Sequence, residues 1–135
     1  DLQVSCTCVR VPVLRSHSES ITIETEKKLT AKKAKELLSK AKGVKVVDNP
    51  SQFKYPMPLD TTDQDNIFVG RIREDISAKN SLTFWCAGDQ IRKGAATNAV
   101  QIAELVLPLL DKESKKEEAP KKRVCKPKKA AAKKK

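Results

Sequence analysis

The 135-residue sequence predicts an α+β domain in which a β-sheet is layered by helices. Three observations carry this. Residues 20–26, 67–75 and 81–87 alternate apolar and polar positions with the period of two that marks a half-buried strand. Residues 31–42 set Ala34, Leu37, Leu38 and Ala41 at helical spacing, and a second helical pattern follows Gly88-Asp89-Gln90. The strands and helices do not alternate regularly, which argues against a parallel sheet wound from β-α-β units, and no internal repeat is present.

In chain order, residues 4–11 read as a first strand with Cys6 and Cys8 on one face. A connection through Pro12 carries His17, and the strand over 20–26 puts Ile21 and Ile23 on one side. Thr30 is the expected N-cap of the helix over 31–42, whose other face is lysine, and Gly43 is its stop. Residues 44–47 read as a short strand and 48–51 as a turn. Residues 55–59 are expected to be extended, because Pro56 and Pro58 each bias the preceding residue away from helix, and 60–66 is a polar loop. Simple alternation over 67–75 places Ile67, Val69, Arg71 and Arg73 on one side of a strand and Phe68, Gly70, Ile72 and Glu74 on the other. In the strand over 81–87, Leu82, Phe84 and Cys86 oppose Thr83 and Trp85. The closing helix carries an apolar stripe of Ala95, Ala99, Ile102, Ala103, Val106 and Leu110, with Pro108 as its expected end.

Composition bounds the rest. Residues 1–110 hold the apolar material for one modest core, whereas 111–135 is Lys, Glu, Ala and Pro without an aromatic and is expected to be a disordered tail. Of 28 basic and 17 acidic residues, 12 and 4 fall in the tail, leaving +8 there and +3 for the body out of +11. A body of that charge does not demand nucleic acid. Any contact with nucleic acid or an acidic partner is expected from the tail, through Lys121-Lys122-Arg123 and Lys133-Lys134-Lys135. Cys6, Cys8, Cys86 and Cys125 lack metal-ligand spacing, so no metal site is assigned and buried free thiols in a reducing compartment are expected. No run approaches 18 apolar residues, and no membrane partner is expected. The sequence opens in the middle of a strand pattern without a methionine, as a fragment would.

The one histidine, His17, stands seven residues after Arg10. Imidazole passes protons near neutral pH, and guanidinium offers a rigid fork of donors to a carboxylate. A lone histidine near an arginine is more often a solvated side chain. The pair nevertheless marks where chemistry would sit, at a join between strands.

The segments CVRVPVLRSHSES, ITIET, YPMPL, VGRIRED and GDQIRKGAATNAVQIAE, in this order over 4–107, resemble the C-terminal part of aspartate-semialdehyde dehydrogenase. The resemblance implies a mixed, largely antiparallel sheet layered by helices, as in the C-terminal domain of the glyceraldehyde-3-phosphate dehydrogenase-like family. It also implies NADP-dependent reductive dephosphorylation of L-aspartyl 4-phosphate to aspartate semialdehyde, through a thioester on a cysteine elsewhere in the enzyme. The family's carboxylate-gripping arginine maps onto Arg10 and its acid–base histidine onto His17. Gly94 and Asn98 fall where the closing helix returns to the nicotinamide end of the cofactor, with Gln90 a weaker candidate. A homodimer or homotetramer in the cytoplasm or a plastid is implied. The Gly-rich nucleotide-binding turn and the segment around the nucleophilic cysteine do not occur in the sequence, so this stretch is not expected to complete the reaction alone. The competing reading is a non-catalytic assembly protein that reuses the domain and docks through its basic tail.

Overall fold

The computed structural model describes residues 2–117. The chain falls into two compact units, Asp1–Gln101 and Ile102–Lys135. The first holds strands β1 (His17–Glu24), β2 (Val44–Val46), β3 (Ile67–Glu74) and β4 (Ser81–Gly88) in one sheet of order β1-β4-β3-β2. The β1–β4 and β4–β3 pairs are antiparallel and the β2–β3 pair is parallel, which is the mixed, largely antiparallel sheet expected.

Helix α1 (Ala31–Lys40) covers one face. The Thr30 hydroxyl caps it by accepting the Lys33 N–H at 3.3 Å, and Gly43, at φ 75°, takes the left-handed conformation in the turn that leads to β2. Pairing decides what lies beneath α1. Ile21 sits opposite Phe84, Ile23 opposite Leu82, and Val69 opposite Cys86, so these side chains share one face. Ala34, Val69, Ile72 and Leu82 form the buried cluster there, with Ile23, Leu38, Val44 and Phe84 packed against it. Truncating Leu82, 1% exposed, to alanine removes about 2–5 kcal/mol of stability by the usual cost of such cavities.

The simple alternation expected over 67–75 fails at Gly70. The β3–β4 register shifts between Gly70 and Arg73, and Arg71, at φ 56°, is the extra residue of a bulge. That insertion brings Ile72 to the same buried face as Val69. Asp48, its side chain 2% exposed, holds the bulge: its carboxylate accepts the Arg71 N–H at 2.9 Å and the Ile72 N–H at 3.3 Å, and pairs with the Lys35 ammonium at 2.6 Å. Gly70 is required by space, since a Cβ there would lie 2.2 Å from the Val47 carbonyl oxygen. Arg71 swings out to lie over the Tyr55 ring, 5.2 Å from its centroid. On this second face the Trp85 Nε1–H donates to the Pro56 carbonyl at 3.0 Å, and Ser20, Tyr55, Met57, Arg71, Arg73 and Trp85 help line an open groove of about 340 Å³.

Other expectations are corrected too. Residues 4–11 are exposed and outside the sheet: a strand exists only against a neighbour, and no described strand pairs with them. Cys6 and Cys8 are accordingly exposed rather than buried. The strand expected at 20–26 begins earlier, so His17 is a strand residue rather than a loop residue. Pro58 does not prolong the extended run but opens α2 (Pro58–Thr61), where a proline needs no N–H, while Met57 keeps the extended backbone that precedes a proline. Helix α3 (Thr97–Glu117) runs through Pro108 rather than ending there. The carbonyl of Glu104, exposed like its neighbours, is left to solvent. The basic clusters of the expected tail, with Cys125, lie outside the described residues.

Candidate active site at the start of β1

His17 is the first residue of β1 and pairs with Gly88, the last of β4. Its side chain is exposed. What precedes it is unusual: Ser16 adopts φ 76°, a left-handed backbone rare for a residue with a Cβ, and yet is only 7% exposed. Two contacts hold it. The Ser16 N–H donates to the Gln90 side-chain oxygen at 2.8 Å, and the Ser16 and Thr62 hydroxyls share a hydrogen bond of 3.2 Å.

One residue earlier, the Arg15 guanidinium bridges Asp63 at 2.8 Å and Asp89 at 2.9 Å. Asp89 is fully buried and is the hub of the site. Its carboxylate accepts the N–H groups of Asp63 at 2.8 Å, Ile91 at 3.0 Å and Arg92 at 3.4 Å. Burial alone would raise this carboxyl, but the Asp63 and Ile91 N–H groups and the Arg15 guanidinium outweigh it and hold the group below its ordinary range. It therefore stays charged at neutral pH and ties three segments together: the approach to β1, the loop after α2, and the turn after β4.

That turn continues into a π-helical stretch, Arg92–Ala96, in which the Ala96 N–H reaches back to the Ile91 carbonyl at 3.0 Å. Wide turns of this kind are frequent at functional sites. Arg92 makes a two-bond contact with Asp65, at 2.8 and 2.9 Å, and the Thr97 hydroxyl donates to the same carboxylate at 3.0 Å. These contacts hold Asp65 below its ordinary range, Arg92 first and Thr97 second, and they push Arg92 up.

The expected site residues divide. His17 and the Gly94–Asn98 stretch are brought to the same end of the sheet, because Ser16 and Arg15 bind the turn that leads into that stretch. Gly94 is exposed within the π-helical stretch, and Asn98 is half-buried in the first turn of α3. A Cβ on Gly94 would meet only the Gln90 Cβ, at an ordinary 3.7 Å, so nothing in this chain's packing calls for glycine there. Arg10 lies in the exposed segment before β1, and among the described residues no hydrogen bond or ion pair ties it to His17. Cys86, beside Glu19, has its thiol pushed up to about 11 by burial and by that carboxylate, which makes it inert as a nucleophile at neutral pH. Among the described residues no three His, Cys, Asp or Glu side chains converge as metal ligands. Sequence reasoning passed over Arg15, Ser16 and Asp89, and placed Gln90 below Asn98 as a cofactor residue. An acidic residue directly after a strand-ending glycine was the available signal, but its partner Arg15 stands 74 positions away along the chain.

Residues 1–93 match the family model described as semialdehyde dehydrogenase, dimerisation domain. The chain is 59% identical over 112 residues to an aspartate-semialdehyde dehydrogenase of Campylobacter jejuni, and 53% identical over 107 residues to that of Aquifex aeolicus. These alignments take in 83% and 79% of this chain but 33% and 32% of the relatives, so the chain spans about a third of their length. Among solved structures, aspartate semialdehyde dehydrogenase II from Vibrio cholerae, in complex with ASA, is similar with a TM-score of 0.70 and 39% identity over 76% of this chain and 30% of that one.

Proposed function

The chain belongs to the aspartate-semialdehyde dehydrogenase family through its dimerisation domain, and from that premise we propose that it supplies the acid–base and carboxylate-binding part of such an enzyme. The reaction is reductive dephosphorylation of L-aspartyl 4-phosphate to aspartate semialdehyde, feeding the synthesis of lysine, threonine, methionine and isoleucine. The observation that carries the reading is the mounting of His17, an exposed imidazole at a strand terminus whose backbone is fixed from both sides, by the sheet after it and by Gln90 and Thr62 before it.

Arg10 grips the substrate's α-carboxylate through two parallel N–H bonds. His17 takes the proton from the attacking thiol, a cysteine in the part of the relatives that this chain does not match, and serves the hemithioacetal oxygen in the same way. The Gly94–Asn98 stretch suits the nicotinamide end of NADP: Gly94 leaves its surroundings open, and the Asn98 carboxamide can pair with the ring's own. NADPH supplies the hydride for this reduction when bound. The enzyme acts as a homodimer or homotetramer. The free thiols of Cys6, Cys8 and Cys86 favour a reducing compartment, the cytoplasm or a plastid. Among the described residues no helix is long and apolar enough to cross a membrane.

The test exchanges the matching third of the Campylobacter jejuni enzyme for this chain and measures phosphate-dependent NADP reduction by aspartate semialdehyde. The chimera is expected to be active, with His17→Ala lowering kcat by about a hundredfold or more. Arg10→Lys is expected to raise KM for the semialdehyde, because a point charge cannot reproduce the planar grip. Full turnover in His17→Ala would remove the histidine from the mechanism.

A further inference from the structure

Resting on the acid–base role proposed for His17, we infer that Gln90 is a positioning residue for that imidazole, acting through the backbone of Ser16. The sheet fixes the chain from His17 onward, where the ladder with β4 begins. Before Arg15 the chain is exposed, and the backbone bond seen there is a local one, from the Val13 N–H to the Val11 carbonyl. The direction in which β1 is entered is therefore set at Arg15 and Ser16.

Ser16 pays a conformational cost for its left-handed φ, and a buried residue keeps such a backbone only where its surroundings over-determine it. The Gln90 oxygen, at 2.8 Å from the Ser16 nitrogen, is the acceptor that does so. Without it the N–H has no partner in a poorly hydrated position, and φ is free to relax to negative values. That rotation turns the approach to β1 and shifts the ring of His17 at the first ladder position. Asp89 would be the wrong residue to probe, since it also holds Arg15 and three backbone N–H groups. Gln90 is half-buried and contributes this one bond among the described residues, so its loss reports on position more than on folding. It also stands just ahead of the Arg92–Ala96 stretch, which joins the histidine's mounting to the Gly94 side of the site.

The chain holds a single histidine and a single tryptophan, so each gives one unambiguous signal. In the full-length chain, Gln90→Leu removes the acceptor and Gln90→Glu keeps an oxygen at the same reach. The Leu variant is expected to speed hydrogen exchange of the Ser16 amide by about tenfold or more and to shift and broaden the His17 ring signals, with Trp85 emission unchanged. The Glu variant should restore the slow exchange and the sharp ring signals. In the chimeric enzyme, Gln90→Leu should lower kcat by about tenfold or more with KM for the semialdehyde within about twofold, and Gln90→Glu should recover most of it.

Unchanged Ser16 exchange and His17 signals in Gln90→Leu would overturn the proposal, as would equal kcat losses in the Leu and Glu variants. Should Gln90→Leu lose the Trp85 signature, Gln90→Met, unbranched and of the same length, gives the same two readings. The two layers fail separately. An active His17→Ala enzyme refutes the acid–base role while the spectra still decide the positioning, and an inactive His17→Ala beside a fully active Gln90→Leu refutes the positioning alone.

Discussion

Replacing Asp48 with alanine should cost about 3 kcal/mol, and the estimate follows from what each of its partners loses. Ile72 is 6% exposed, so its N–H loses an acceptor that water does not replace, about 1–3 kcal/mol. Arg71 is exposed, and its N–H exchanges a charged acceptor for water at about 1 kcal/mol. The Lys35 side chain is 39% exposed and re-solvates, so breaking that pair adds at most about 1 kcal/mol. Asp48→Asn keeps one carbonyl oxygen and should cost about half as much as alanine. The loss is large against a total stability of about 5–15 kcal/mol. Urea unfolding followed through Trp85 fluorescence measures it, with equal slopes for variant and parent showing that the midpoint shift reflects stability. A loss below about 1 kcal/mol for Asp48→Ala would mean that the bulge does not depend on this carboxylate, and the account of why Ile72 joins the core would fall with it.

Two glycines should respond in opposite ways to alanine. Gly70→Ala forces a Cβ against the Val47 carbonyl and should lower stability by about 2–3 kcal/mol, whereas Gly94→Ala makes only an ordinary contact with the Gln90 Cβ and should raise it by about 0.5–1 kcal/mol. In the chimeric enzyme the same Gly94→Ala should raise KM for NADP, and an unchanged KM would remove Gly94 from the cofactor site. Asp75 is held down to about 2 from 3.8 by the Ser77 hydroxyl, then the Thr83 hydroxyl and the Ser77 N–H. Because the folded value lies below the unfolded one, this contribution is complete above about pH 4 and disappears as pH falls toward 2. Thermal midpoints across that range should fall less steeply for Asp75→Asn than for the parent, and parallel curves would reject the assignment. Finally, 118–135 carries nine basic residues and one acidic one, and truncation after Glu117 should abolish retention on heparin while leaving Trp85 emission unchanged. Equal retention of both chains would locate the polyanion-binding surface in the body.

Short-range physics was legible in the sequence. Thr30 caps α1 and Gly43 takes the left-handed turn because those roles depend on residues within a few positions. Ile21 with Ile23, and Leu82 with Phe84, announce half-buried strands because one period of two suffices to separate faces. The family could be read from ordered motifs that need no coordinates, and with it the candidacy of Arg10 and His17. What tertiary structure decided depends on partners distant in sequence. Residues 4–11 alternate as a strand does, yet a pattern cannot supply the neighbouring backbone that a ladder requires. The bulge at Arg71 turns on Asp48, 23 positions earlier, which rewards two N–H groups for leaving the regular pleat and so moves Ile72 to the face its spacing denied it. The mounting of His17 rests on Gln90 and Asp89, 74 positions beyond Ser16 and Arg15, and only closure of β1 against β4 brings that turn beside the histidine. Local periodicity records which face a residue prefers. Which buried carboxylate or carboxamide meets which N–H is settled by the chain's return to itself.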